Sequence, residues 1–316
     1  MSVWKKSSGW GNVQIGGLPF TGSGKVFVVG DSGTANLGML QELFNTDNDG
    51  DVRFHATLDA AVGACTASAG DLILVMPGHT EAVTATSIDL DVAGITVVCL
   101  GNQENQAVFT YGAAASTISV GAANITFVGG VHQATFADVA SAFTVGAATG
   151  FRLQGGKFED TGASLNFLSI VTTGAVANQH DGLQVVGNTF YGLHATPLAF
   201  ISILEATKDL LIQDNFIDSA ATALMECVTF AAFDSLGTRI IGNTLVKVGA
   251  TDTTIGIFLT GSGTAHTGIV AGNKVSSLDT TTELIATAGT GLVYFENYYT
   301  GVADKSGKLW PVVDAA

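Results

Sequence analysis

Asn-Ile-Thr-Phe-Val-Gly-Gly at 124–130 recurs as Gly-Phe-Arg-Leu-Gln-Gly-Gly at 150–156, Gly-Leu-Gln-Val-Val-Gly-Asn at 182–188 and Asp-Leu-Leu-Ile-Gln-Asp-Asn at 209–215. Three further copies are Gly-Thr-Arg-Ile-Ile-Gly-Asn at 237–243, Thr-Gly-Ile-Val-Ala-Gly-Asn at 267–273 and Gly-Leu-Val-Tyr-Phe-Glu-Asn at 291–297. Successive copies end 26, 32, 27, 28, 30 and 24 residues apart. A period of that length signals stacked repeats. Three residues before each end stand Phe127, Leu153, Val185, Ile212, Ile240, Val270 and Tyr294, all large and apolar. Five before stand Ile125, Phe151, Leu183, Leu210, Thr238, Gly268 and Leu292, apolar in five of seven copies. The position between them is polar at Thr126, Arg152, Gln184 and Arg239, so inside and outside alternate as in a strand.

Two residues past each end the inward alternation resumes with His132, Phe158, Phe190, Ile217, Leu245, Val275 and Tyr299. The Gly or Asn between two such strands is expected to bend the chain by taking up left-handed backbone, which these residue types tolerate best. A further β-rich run precedes each copy, at 116–120, 143–145, 167–171, 199–203, 227–230, 256–260 and 284–286. Three strands per repeat, each paired with its counterpart one repeat away, describe a parallel β-helix. Asn188, Asn215, Asn243, Asn273 and Asn297 would then stack and hydrogen-bond along its axis.

The strand, Asn turn, strand arrangement resembles the right-handed parallel β-helix of pectate-lyase-like proteins, a fold also used by bacteriophage tailspikes and other virion proteins. The resemblance covers roughly residues 57–301. The expected architecture is all-β: a right-handed parallel β-helix with an N-terminal capping helix and extended terminal arms. It divides into an N-terminal arm over 1–34, a capping region with short helices over 35–69, the β-helix over 70–301 and a C-terminal tail over 302–316. Leu37 to Phe44 is expected to form a short helix. In the next, Thr57 caps a turn that aligns Leu58, Ala61, Val62 and Cys65 on one face. That helix, with the apolar run at 72–76 and Pro77-Gly78 after it, is similar to the start of many such solenoids. Gly78 is expected to take the turn role of Gly130, and Val75 the inward role of Phe127.

Composition narrows the function. Of 316 residues, 47% are hydrophobic, 12% are charged and 40 are Gly, as suits a turn-rich β chain. The net charge of −15, with few and scattered Lys and Arg, argues against direct nucleic-acid binding. Apolar runs are too short for a membrane span, and none comes after Lys5 and Lys6 to make a secretory signal. Synthesis in the host cytoplasm is expected. Cys65, Cys99 and Cys227 show no ligand spacing and read as buried reduced thiols. The acidic run at 45–51 lacks the Gly and Glu spacing of a calcium loop and reads as a solvated turn, so no metal or other cofactor is expected.

Enzymes that the fold resembles gather carboxylates and a basic residue on one outer face. Here Arg152 and Arg239 share a register but stand three coils apart. The best carboxylates are Glu159 and Asp160, with Asp218 at the matching register two coils on. Glu159 and Asp218 would sit about 10 Å apart, at or beyond the limit for an inverting glycosidase pair. His79 and His180 have no Ser or Cys elbow beside them and read as loop or surface histidines. Outward registers of the later coils instead hold Leu211, Phe216, Ile269, Val293 and Tyr298, where earlier coils hold Thr126, Arg152, Lys157 and Gln184. Exposed apolar residues mark contact surfaces. Trp4, Trp10 and Phe20 in the arm, and Leu309 and Trp310 in the tail, read as further anchors. Joined to the resemblance to virion β-helices, which alone implies the virus assignment, these features lead to the expectation of a non-enzymatic virion structural protein, a homotrimeric capsid decoration or cement protein that binds the major capsid protein or another virion protein. The alternative is a tailspike or receptor-binding polysaccharide depolymerase or lyase, with Glu159, Asp160 and Asp218 as its acids.

Overall fold

The computed structural model describes residues 13–15, 18–20, 24–46, 50–102, 105–193, 199–219, 226–230, 234–247, 257–259, 266–276, 285–287, 291–300 and 307–309. Among them the chain winds as a parallel β-solenoid of about eight turns. Three long sheets hold eleven, ten and eight of the described strands. The first contains the strands of the recurring phrase, from Thr126–Val128 to Gly291–Phe295, and the earlier strands Leu72–Val75 and Thr96–Cys99. The second contains the strands just past the bend, from Thr80–Val83 to Asn297–Thr300. The third contains the preceding runs, such as Phe143–Val145 and Ala199–Ile203. No helix among the described residues is long and apolar enough to cross a membrane.

The register tracks the repeat. Phe127 pairs with Leu153, and onward through Val185, Ile212, Ile240 and Val270 to Tyr294. All but Tyr294 are fully buried. Each buried Phe or Leu of this column contributes about 1.5–3 kcal/mol through removal of apolar surface from water. At the first coils the expected alignment is shifted. Ile73, not Val75, pairs with Val97 and so holds the place of Phe127, while Val75 pairs with Cys99. Gly78 likewise matches Gly129 rather than Gly130, because Thr80 is the residue in register with Val108 and Val131.

Gly130 takes up left-handed backbone as expected, but the bends of the later copies are built differently. The left-handed residue is the one before each Asn: Gly187, Asp214, Gly242, Gly272 and Glu296, with φ between 53° and 69°. This leaves the Asn free to turn its side chain inward, where it forms a continuous buried ladder. Asn188 Nδ2 donates to Asn215 Oδ1 at 3.1 Å, Asn215 to Asn243 at 2.9 Å, Asn243 to Asn273 at 3.0 Å and Asn273 to Asn297 at 2.9 Å. Each Oδ1 also accepts the backbone N–H of the Asn one coil earlier, and each Nδ2 reaches a strand carbonyl of the preceding coil. The ladder begins on Gly156, whose N–H donates to Asn188 Oδ1 at 2.9 Å. Glycine stands there because a Cβ at Gly156 would come within 3.0 Å of the Phe158 ring.

Aromatic stacking takes over in the earlier coils. The His132 ring lies between Phe109 and Phe158, nearly parallel to both, with centroids 5.1 and 4.6 Å away. Tyr111 Oη lies 3.0 Å from His132 Nδ1. Burial pushes the His132 pKa down to about 3, so the ring is neutral.

The N-terminal end of the core is closed by the helix Leu58–Ala64, with Leu58, Ala61 and Val62 buried and Thr57 Oγ1 accepting from Ala60 N–H at 3.3 Å. The Glu81 carboxylate accepts the Leu58 N–H at 3.0 Å and lies 3.0 Å from His79 Nε2. His79 is therefore fully buried, not a surface histidine. The second short helix, Leu37–Leu43, forms where expected. Of the segment expected to be an arm over 1–34, Val26–Val29 is a fully buried strand inserted between Phe54–His55 and Leu72–Val75. Val13–Ile15 and Leu18–Phe20 pair with each other antiparallel. Trp4, Trp10 and Trp310 lie outside the described residues. Residues 47–49 of the acidic run lie outside the described residues; beside them Thr46 bridges to Val52 and Asp51 forms an ion pair with Lys25.

Candidate functional site

Outward positions are the only ones that a ligand or partner can reach along such a solenoid. On the second sheet one outward column runs Gln133, Glu159, Tyr191, Asp218 and Val246 in register. Glu159 and Asp218 thus occupy one column, separated by Tyr191. Two strand spacings put them about 10 Å apart, wide for an inverting pair at roughly 6.5–9.5 Å. Glu159 is already engaged: Gln133 Nε2 donates to it at 2.7 Å and Lys157 Nζ lies 2.5 Å away. Desolvation raises its pKa, but the hydrogen bonds from Lys157 and Gln133 and the lysine charge outweigh it, so the carboxyl stays below its usual value. That is the opposite of what a general acid needs.

Asp160 belongs to the interior. Strand alternation turns it inward, and its two carboxylate oxygens accept the N–H groups of Phe167 at 2.9 Å and Leu193 at 2.8 Å. It ties loops of two coils together and is only 6% exposed. The sequence signal that separates Asp160 from Glu159 is the period of two, which puts Asp160 on the core side with Ala134.

The two arginines stay apart as expected, since the register runs Arg152, Gln184, Leu211, Arg239. Arg152 is held by Gln154 and Gln184, each at 3.0 Å. His180 lies in the turn two residues before the left-handed Gly182, a loop position as expected, but it is fully buried and not at the surface. His266, one register position further along the coil, precedes the positive-φ Gly268 and lies 2.7 Å from Ser235 Oγ. The Ser235 and His266 pair resembles a nucleophile with its base, but both residues are sealed inside the coil, out of reach of substrate. Cys99 and Cys227 are buried, Cys65 is half-buried, and all three are unpaired. Burial pushes the Cys65 and Cys227 thiols up to about 12.

Among the described residues, no three His, Cys, Asp or Glu side chains converge as a cation site. A pocket lined by Asn178, Ala206, Thr207, Lys208, Asp234 and Leu236 encloses about 180 Å³. Small-molecule sites commonly enclose roughly 300–1,000 Å³.

The apolar outer face is more distinctive. The first-sheet column runs Leu211, Arg239, Ile269, Val293, and its neighbour runs Gln213, Ile241, Ala271, Phe295. Val293 is 58% exposed, Phe295 50% and Tyr298 45%, with Ile269 beside them at 36%. Leu211 and Phe216 are half-buried and lie toward the middle of the solenoid. Arg239 separates Leu211 from the terminal cluster, and Thr244 with Lys274 separates Phe216 from it. Phe216 instead packs 6.1 Å from the Tyr191 ring. Phe295, which periodicity in the sequence did not single out, belongs to the cluster because the strand ending at the bend turns it outward. The backbone of Leu309 pairs with Asn297 of the same chain.

The chain matches no protein-family model, and comparisons with curated proteins and with solved structures give no significant similarity.

Proposed function

We propose that this chain is a non-enzymatic structural protein of a bacteriophage particle, a homotrimeric capsid decoration or cement protein made in the host cytoplasm. The observation that carries this reading is the exposure of Ile269, Val293 and Phe295 on the first sheet of the last coils, with Tyr298 exposed on the second sheet just past the bend, since exposed apolar residues favour burial against a partner. The phage assignment itself draws on the resemblance of the repeat to virion β-helices. In this reading one part of the outer face joins three copies, and the terminal anchors engage the major capsid protein or another virion protein. Binding only to the assembled shell would stabilise that shell by mass action.

Mass photometry of the full chain is expected to give the mass of three copies. The double variant V293D/F295D is expected to be monomeric with an unchanged unfolding midpoint, because both side chains are exposed. A monomeric wild-type chain at micromolar concentration would overturn the trimer.

A depolymerase is the second reading, favoured by the exposed ring of Tyr191 between Glu159 and Asp218. Aromatic faces and carboxylates together suit sugar rings and their hydroxyls. Incubation with capsular polysaccharides is expected to release no oligosaccharide. Release that disappears in Asp218→Asn would put this second reading first.

A further inference from the structure

At the corner between the third and first sheets, two adjacent coils each add a short strand. Thr207–Lys208 and Ser235–Leu236 run parallel, with Thr207 opposite Ser235 and Lys208 opposite Leu236. Thr207 and Ser235 are buried. Strand alternation then turns their neighbours outward: Ala206 and Lys208 on one coil, Asp234 and Leu236 on the next. Backbone hydrogen bonds fix this frame, since Thr207 N–H donates to Asp234 O at 3.1 Å, Asp209 N–H to Leu236 O at 2.8 Å and Asn178 N–H to Ala206 O at 2.8 Å. The Lys208 N–H also donates to Asp181 Oδ1 at 2.9 Å.

These residues, with Asn178 from the coil before, line the groove of about 180 Å³. That is the room of about six waters, so the ligand it suits is small. Its two charges lie on a diagonal. Lys208 and Asp234 stand one strand apart and two residues out of register, with about 8 Å between their Cα atoms. Lys25 and Lys157 are each taken up in an ion pair, with Asp51 and Glu159. The Lys208 ammonium has no ion-pair partner among the described residues. Leu236, 40% exposed, gives the groove an apolar wall. Thr207 at its floor carries a buried hydroxyl with no hydrogen-bond partner among the described residues. Buried polar groups are ordinarily satisfied, so an unmet one beside a groove points to a polar occupant.

We infer that this groove binds a small zwitterion, a free α-amino acid with a short side chain. The ligand carboxylate takes the Lys208 ammonium, its ammonium takes the Asp234 carboxylate, and its side chain lies against Leu236. Either charge alone would attract a simple ion, but the opposite charge across the groove disfavours that ion and favours a ligand carrying both. The site is independent of the virion reading and of the trimer, which use the last coils and the termini.

Isothermal titration of the full chain with L-alanine is expected to show one saturable site per chain with a Kd of about 1 mM, the range for so small a ligand. Lys208→Met and Asp234→Asn should each weaken it about tenfold or more, with unfolding midpoints at the wild-type value because both side chains are exposed. Acetate and ethylammonium, which carry one charge each, should bind at least about tenfold more weakly than alanine. No saturable heat up to about 50 mM alanine would overturn the proposal. So would alanine binding that both variants retain, which would place the site elsewhere, or acetate binding as tight as that of alanine, which would leave only an anion site at Lys208.

Discussion

Replacing Asn243 with alanine is expected to lower the unfolding free energy by about 3–5 kcal/mol, read from urea denaturation, because a mid-ladder amide serves both neighbouring coils. Its Oδ1 accepts the Asn215 N–H at 3.0 Å and the Asn215 Nδ2 at 2.9 Å. Its Nδ2 donates to Ile212 O and to Asn273 Oδ1, both at 3.0 Å. Alanine leaves two donors of Asn215 without a partner in a place where water does not enter, and each such donor costs roughly 1–3 kcal/mol. Asn243→Asp keeps the acceptor but loses both donors and buries a charge, so it should be at least as damaging. An alanine variant within about 1 kcal/mol of wild type would show that the ladder is incidental.

Acidification from pH 7 to pH 4 is expected to remove about 3 kcal/mol of stability through His132 alone. The sign comes from its depressed folded pKa, about 3 against 6.5 for a freely solvated imidazole. Between those values the unfolded chain binds a proton that the folded chain refuses. The His132 contribution is therefore complete above pH 6.5 and fades as pH falls toward 3. Burial pushes His180 and His266 in the same direction. His132→Phe fits between the Phe109 and Phe158 rings and should flatten the slope of stability against pH by about one proton, roughly 1.4 kcal/mol per pH unit. Its cost is the lost partner of the Tyr111 hydroxyl. An unchanged slope would mean that the imidazole titrates normally in the folded chain.

Much of the fold was legible because a solenoid writes its geometry into the sequence many times over. One Phe among alternating residues says little, but Phe127, Leu153, Val185, Ile212, Ile240 and Val270 at one register fix a buried column, and the pairing tracks it strand by strand. The runs expected at 143–145 and 199–203 are strands with those bounds. Where the repeat loosens, the reading slipped: Met76 and Pro77 precede Gly78, and the alignment of the first coil shifted there. The candidate site was less legible. Glu159 and Asp160 are adjacent and chemically alike, yet one lies outside in an ion pair and the other inside holding two backbone N–H groups.

The period, the inward columns, the stacked asparagines and the capping helix could all be read from the chain, because each depends on residues close in sequence or on one position repeated. Packing between coils settled the rest: which residue of each bend takes the left-handed backbone, which histidines are sealed inside, and how the exposed apolar residues of the last coils group together. Those outcomes depend on what the next coil, about 4.8 Å away, places opposite each side chain.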